Sequence, residues 1–334
     1  MKFDGKRLAA AVCVTALAVA GAFMINKREI KRSETFFAMD CACTVTMYGG
    51  DISPVKERIS ELDKKLSAYG EDSEIYKVNS EGQGTLSDET AELVERSLDL
   101  TEKYGGADIT AGALTKLWNV TGESPSVPSD EEIAESLATV GSKNVRLEGN
   151  VCTLENGAQL DFGCDGKGFA LDEVKKELDR QDVSCAVATF GSSSLLYGEK
   201  PDGKSFTTSV TDPFDDGKTC LSFTSGECFV STSGGYERYF EADGEKYCHI
   251  FDLSTGYPCK SDLVSVTVVC QSGIRSDFLS TCIYLGGTDS LDKWLHTEDI
   301  EVIAIGEDKS VYCSDSIKSR ITVNNNEFVI KTAL

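Results

Sequence analysis

Asp277 and Thr281 stand four residues apart in SDFLSTCIYLG. The apolar residues Phe278, Leu279, Cys282 and Leu285 of that segment recur at helical spacing, so one helix face carries both oxygen-bearing side chains. A carboxylate and a hydroxyl are hard donors of the kind Mg2+ accepts, and that ion commonly uses one or two protein ligands when substrate phosphates supply the rest. His249, one of only two histidines, lies in HIFDLSTGYP just upstream. It is the natural titratable group for moving a proton near neutral pH. About 110 residues before Asp277, LDFGCDGKGFALDEV sets three glycines around Lys167 at the start of an amphipathic segment. Glycines let a backbone approach a ligand, amides at a helix start attract phosphate, and a lysine adds a point charge. The loop lacks the spacing of a Walker A sequence, and a glycine-rich connection that merely turns the chain is its plainer interpretation. Asp108 and Thr110 of DITAGALTKLW read equally as helix caps or as ligand contacts.

The elements that must hold these groups follow from period and punctuation. Residues 34–50 read as one strand, with Phe37, Met39, Cys41, Cys43, Val45 and Met47 alternating to one side as far as the Gly49-Gly50 turn. A helix follows, capped by Ser53 with Pro54 in its first position and Val55, Ile59, Leu62 and Leu66 as its apolar stripe. LSAYGEDSEIYKVN reads as a polar loop carrying Ser67, Tyr69 and Glu74. Ser87 opens a second helix that Gly105-Gly106 stops, Ser129 opens a third, and Gly149-Asn150 turns a hairpin. The C-terminal half is mostly strand, with a helix over 276–286. The whole predicts an α+β fold, a largely antiparallel or mixed sheet with flanking helices, and a single elaborated catalytic domain over 33–334.

Composition sets the outer bounds. The 334 residues are 40% hydrophobic and 26% charged, as in a globular protein, and the formal net charge is −22. The first 32 residues are net +5, leaving −27 on the rest, which excludes nucleic-acid binding by a basic surface. Residues 8–25 carry no charge and are flanked by Lys2, Lys6 and Arg7 on one side and Lys27, Arg28, Lys31 and Arg32 on the other. Residues 1–32 therefore read as a signal peptide or signal anchor with a basic linker. The expectation is an exported protein attached to the outer face of the cytoplasmic membrane, or secreted if the segment is cleaved. Thirteen cysteines fall singly, many inside apolar runs and without any CxxC, a pattern of small core hydrophobes rather than a disulfide or zinc framework.

The order of motifs carries a resemblance. FFAMDCACTVTMYG, LSAYGEDSEIYKVN, DITAGALTKLW, LDFGCDGKGFALDEV, ATFGSSSLLYG, TSGGYERYF, HIFDLSTGYP and SGIRSDFLSTCIYLGG succeed one another from Phe36 to Gly287. In that order they resemble the FAD:protein FMN transferases, the ApbE-like flavin transferases. The resemblance implies an exported, Mg2+-dependent enzyme that cleaves the pyrophosphate of FAD and transfers FMN to a threonine or serine hydroxyl of an acceptor protein, releasing AMP. It implies metal ligation by Asp277, Thr281 and the backbone carbonyl of Cys164. It implies FAD contacts at Met39, Ser67, Ala68, Tyr69, Asp108, Lys167, His249 and Ile250, with His249 as candidate base. The chain departs from the family pattern at Asp40-Cys41, at Ser192 and Ser193, at Ser276, and in HIFDLSTG, none of which removes an implied metal ligand. Two other functions share these features: an FAD pyrophosphatase in which water replaces the acceptor hydroxyl, and an exported flavin-binding protein without catalysis.

Overall fold

The computed structural model describes residues 30–331 except 216. Among them, nine strands build one sheet and cross it in chain order: Lys31–Ala38 (β1), Cys41–Gly49 (β2), Val183–Phe190 (β3), Ser193–Gly198 (β4), Cys228–Ser233 (β5), Leu263–Cys270 (β6), Ile300–Gly306 (β7), Ser310–Cys313 (β8) and Val329–Ile330 (β9). Every neighbouring pair is antiparallel except β8 with β9, which is parallel. The helices that bear on the site are Ile52–Leu66 (α1), Glu74–Glu81 (α2), Asp88–Tyr104 (α3), Gly112–Trp118 (α4), Asp130–Leu137 (α5), Gly166–Asp179 (α6) and Gly273–Gly286 (α7). The fold is α+β with a mostly antiparallel sheet.

Strand periodicity divides the side chains between the two faces of the sheet. Cys43, Val45 and Met47 of β2 join Val55, Ile59 and Leu62 of α1 and Phe169 and Val174 of α6. On β6, Val266 and Val268 join Phe278, Leu279 and Ile283 of α7. Val269 turns the other way, into a cluster with Val210, Leu221 and Phe223 from a three-stranded sheet of Phe206–Thr211, Thr219–Ser225 and Ile321–Val323. The main sheet is thus covered on both faces, and each large apolar side chain taken from water contributes roughly 1.5–3 kcal/mol. Arg58 of α1 ties the helical layer together, pairing with Glu89 of α3 and, at 2.6 Å, with Glu173 of α6. The twelve described cysteines are all free thiols, and nine are buried, as small core hydrophobes would be.

Several local expectations are corrected. The stretch 34–50 is not one strand: Met39 and Asp40 adopt positive φ (51° and 54°) and turn β1 back along β2, with Ala38 opposite Cys41. Two left-handed residues in a two-residue hairpin loop make a type I′ turn, which sequence signals as Asn-Gly rather than Met-Asp. Asp63 of α1 catches the Met39 amide at 2.9 Å and fixes the turn from a distance. Helix α1 is capped by Asp51, whose carboxylate accepts from the Ser53 amide, so Ser53 lies inside the helix. The expected polar loop contains α2, capped by Ser73 and anchored by buried Ile75 and Val78. Helix α7 begins at Gly273, earlier than expected, because Asp172 of α6 accepts from the amides of Gly273 (2.6 Å) and Ile274 (3.3 Å). A cap supplied by another helix leaves no local signature. Ser87, Ser129 and the hairpin at Gly149-Asn150 stand as read. The expected targeting segment and its linker, residues 1–32, lie outside the described residues apart from Ile30, Lys31 and Arg32, the last two of which begin β1. No helix among the described residues is long and apolar enough to cross a membrane.

Candidate active site

Helices α6 and α7 meet backbone to backbone at two glycines. A Cβ on Gly168 would stand 2.1 Å from the carbonyl oxygen of Gly273, and a Cβ on Gly273 2.2 Å from that of Gly168. The glycine of the GKG loop therefore serves helix approach. Its amide, in the first turn of α6 and free of intrahelical partners, donates to Oδ2 of Asp277 at 2.9 Å. Ser193 Oγ donates to Oδ1 at 2.9 Å, and Lys167 Nζ stands 3.5 Å from Oδ2. Asp277 is 3% exposed, so these three donors replace the water its carboxylate has lost. Burial pulls the Lys167 ammonium down, but Asp277 and Glu237 more than offset it, and its pKa lies above the ordinary lysine value. The amide expected to meet phosphate is thus already spent on Asp277, and Lys167 is left to face the cavity with its charge secured.

Thr281, one turn on, lies 3.1 Å from Ser233 Oγ and 3.5 Å from the Asp277 carbonyl. Cys164 is half-buried, and burial first, then the Asp165 charge, push its thiol well above the ordinary range. Asp165 is fully buried. Its Oδ2 accepts from Ser97 Oγ at 2.6 Å, and its Oδ1 has no partner. Burial first, and then the field of Asp277, raise its pKa to about 7. No three His, Cys, Asp or Glu side chains gather as a metal cluster among the described residues. An oxygen donor set beside the buried carboxylates of Asp277 and Asp165 fits a hard cation such as Mg2+, and it does not fit a soft one.

His249 leaves the hairpin Tyr239–Ala242/Glu245–Cys248, whose Phe240 and Tyr247 stack at 5.2 Å and whose Tyr247 lies 5.5 Å from buried Trp118. Its Nδ1 is 3.2 Å from the Arg238 carbonyl. A carbonyl only accepts, so in the neutral ring Nδ1 carries the proton and Nε2 the lone pair. Burial lowers its pKa to about 4, assisted by the charges of Arg238 and Lys167, so the imidazole is neutral at physiological pH.

Two neighbouring cavities collect every site residue that the family resemblance implies, though not Thr110. The larger is lined by Asp108, Cys164, His249, Ile250, Asp277 and Thr281. The smaller is lined by Met39, Ser67 and Ala68. Tyr69 and Lys167 belong to both, as do Asp40, Asp161, Gly163 and Arg238. Asp108 is occupied internally: Oδ1 accepts from the Thr110 amide and hydroxyl (2.9 and 2.7 Å) and Oδ2 from the Ser142 amide at 2.9 Å. It caps a turn before α4, while the N-cap of α4 itself is Ala111. Ser67 Oγ accepts from the amides of Tyr69 (3.2 Å) and Gly70 (3.0 Å), which holds the Tyr69 ring out at the rim, 58% exposed. Sequence reasoning missed Arg238, Glu237, Asp40 and Asp161 as lining residues. The first two stood in plain view in TSGGYERYF, where a cation and an acid follow a small-residue turn. Ser193, a departure from the family pattern, is wholly buried on Asp277, whereas Ser192 lines the larger cavity.

The ApbE family model matches residues 39–304. The FAD:protein FMN transferase of Treponema pallidum is 29% identical over 91% of this chain and 92% of its own length. That of Vibrio cholerae is 30% identical over 69% of this chain and 72% of its own. The crystal structure of the ApbE protein of Thermotoga maritima superposes with a TM-score of 0.80 at 28% identity, covering 87% of this chain and 99% of that one. The apo flavinyl transferase ApbE of Pseudomonas stutzeri gives a TM-score of 0.72 at 27% identity, over 83% of this chain and 92% of its own. With the family model matching residues 39–304 and the fold shared over 87% of the chain, this protein belongs to the ApbE family.

Proposed function

We propose that this chain is an FAD:protein FMN transferase, which moves FMN from FAD to a threonine or serine hydroxyl of an acceptor protein and releases AMP. The observation that carries the proposal is that two neighbouring cavities share Lys167 in their lining, beside the Asp277 carboxylate. FAD has the same plan, two ring systems linked by a diphosphate. Ile250, Phe251 and Leu253 give the larger cavity an apolar side for a flat ring. Met39 and the exposed ring of Tyr69 offer another apolar surface at the smaller one.

Asp277, Thr281 and the Cys164 carbonyl would hold Mg2+, which when bound supplies charge neutralisation on the diphosphate. Lys167, kept protonated by Asp277, opposes the diphosphate charge from the protein side. The acceptor hydroxyl oxygen bonds to the FMN-side phosphorus while that phosphorus loses its bond to the bridging oxygen. The bridging oxygen leaves with AMP, and the hydroxyl proton passes to Nε2 of His249. Fixing Nδ1–H on the Arg238 carbonyl keeps Nε2 free to take it. The charge and hydropathy of residues 2–32 support export, with attachment to the outer face of the cytoplasmic membrane, or secretion if the segment is cleaved; acceptors would then be exported redox proteins.

The test is to incubate the protein with FAD, Mg2+ and a threonine-containing acceptor peptide. Mass spectrometry is expected to find an FMN adduct on the peptide, with AMP released in equal amount. AMP without adduct across a panel of acceptors would reassign the chain as an FAD pyrophosphatase. Bound FAD with neither product would make it a flavin carrier.

A further inference from the structure

The mechanism above uses one cation at the cavity junction, and the structure holds a second. Arg238 lines both cavities, as Lys167 does. Its guanidinium makes one hydrogen bond among the described residues, from Nη2 to the Asp40 carbonyl at 3.0 Å. A guanidinium has five N–H donors in a planar fork, so four are unspent. No carboxylate of a described residue forms an ion pair with it, in a chain with 55 acidic residues against 33 basic ones. The two cations are near enough that the Arg238 charge opposes protonation of Lys167. Like charges in a partly dehydrated cavity repel; Glu237 feels both charges and offsets part of that repulsion, and a diphosphate in contact with both cations would offset more while using the N–H donors that Glu237 leaves free.

We infer that Arg238 is a second diphosphate-binding residue, taking phosphate oxygens on its free N–H groups at the junction it shares with Lys167. The inference rests on FAD being the ligand. Arginine suits the role because its fork matches two phosphate oxygens at once, where lysine offers only a point charge. Its bond to Asp40 also bears on the Met39–Asp40 turn, and its own carbonyl is the acceptor that orients His249. One residue therefore touches the ligand junction, the rim and the base.

The test is fluorescence titration of the whole protein with FAD and with riboflavin, which lacks the diphosphate, in Mg2+-free buffer so that no turnover occurs. Arg238→Gln is expected to raise the Kd for FAD about tenfold or more, the scale of one charge-assisted phosphate contact, while shifting that for riboflavin less than about twofold. Arg238→Lys is expected to fall between the two, since it restores the charge without the fork. An unchanged FAD affinity in Arg238→Gln would overturn the assignment. So would an equal loss for FAD and riboflavin, which would assign the effect to the turn at Asp40. An unaltered protein that does not bind FAD would overturn the flavin-transferase proposal itself, and this inference with it. If Arg238→Gln does not fold, phenylglyoxal labelling of the unaltered protein decides: FAD is expected to protect Arg238 and riboflavin is not, and equal labelling with either would sink the idea.

Discussion

Where α6 crosses α7, Gly168 and Gly273 leave no room for a single added carbon, and the Asp277 carboxylate between them is held by an amide, a hydroxyl and an ammonium. Across the cavity the rim follows a different rule. Met39 and Asp40 sit in left-handed backbone, Tyr69 is 58% exposed, and the segments are fixed by a few side-chain hydrogen bonds, from Asp63 and Arg238 to the Met39-Asp40 turn and from Ser67 to the amides of Tyr69 and Gly70. One wall is over-determined by packing; the other carries backbone strain and keeps its surface open. Phosphoryl transfer needs both kinds of wall. Charge must be held at fixed points, and a bulky two-part substrate and a protein acceptor must still be admitted.

The contrast fails first if Asp277 is replaceable. Asp277→Ala removes the ion-pair partner of Lys167 and the carboxylate proposed to hold Mg2+, and Mg2+-dependent AMP release is expected to fall by about 10³-fold; an unchanged rate would place the chemistry elsewhere. The packed wall also carries an electrostatic cost at Asp165, whose folded pKa of about 7 exceeds the ordinary carboxylate value. A raised carboxylate pKa means that the folded state holds the proton while the unfolded state has lost it. Stability therefore declines as pH rises from about 4 towards 7, by about 1.4 kcal/mol per unit. Asp165→Asn removes that decline. In metal-free buffer the variant is expected to gain up to about 4 kcal/mol over the parent at pH 8 and little at pH 4, read from denaturant midpoints. A pH-independent gain would mean that Asp165 is not the titrating group. Next comes the crossing itself: Gly168→Ala drives a Cβ into backbone and is expected to destabilise by about 3 kcal/mol. Gly70→Ala at the rim meets Ser67 Oγ at an ordinary 3.4 Å and is expected to change stability by less than about 0.5 kcal/mol. Equal effects would erase the difference between the walls.

These two walls were not equally legible in the sequence. That Asp277 and Thr281 share one helix face could be read from their four-residue spacing, although α7 proved buried on nearly every side, Asp277 included. The sheet strands after residue 183 could be read for the same reason, since a strand covered on both faces gives long apolar runs such as SVTVVC. The rim could not. Met39-Asp40 is a poor turn sequence, made into one by Asp63, twenty-four residues away. The start of α7 was hidden likewise, since its cap is Asp172 of another helix. The glycines of the GKG loop were recognisable as a place of close approach, but the partner proved to be Gly273 rather than phosphate. Local pattern reports what a segment buries; it does not report which distant side chain completes it.

The smallest effect tests whether the rim holds its strain for function. Non-glycine residues in left-handed backbone cost roughly 1–2 kcal/mol each, less for Asp, which tolerates that region better than Met. Asn-Gly adopts the same type I′ turn with little strain. The double substitution Met39→Asn with Asp40→Gly keeps the hairpin register, the Asp63 bond to residue 39 and the Asp40 carbonyl that Arg238 reaches, because those contacts to the turn are made through main-chain atoms. It is therefore expected to stabilise the protein by about 1 kcal/mol. If the Met39 side chain is the surface a ring of FAD packs on, affinity for FAD falls at the same time, by about threefold to tenfold for the loss of a partly exposed apolar contact. Denaturant midpoints and FAD titration on the same samples separate the two quantities. A stabilised hairpin with undiminished FAD affinity would mean that the rim carries its strain for some purpose other than this ligand. A turn that loses stability would mean that Met39 and Asp40 are held there by packing, and the contrast between the two walls would collapse from the rim side.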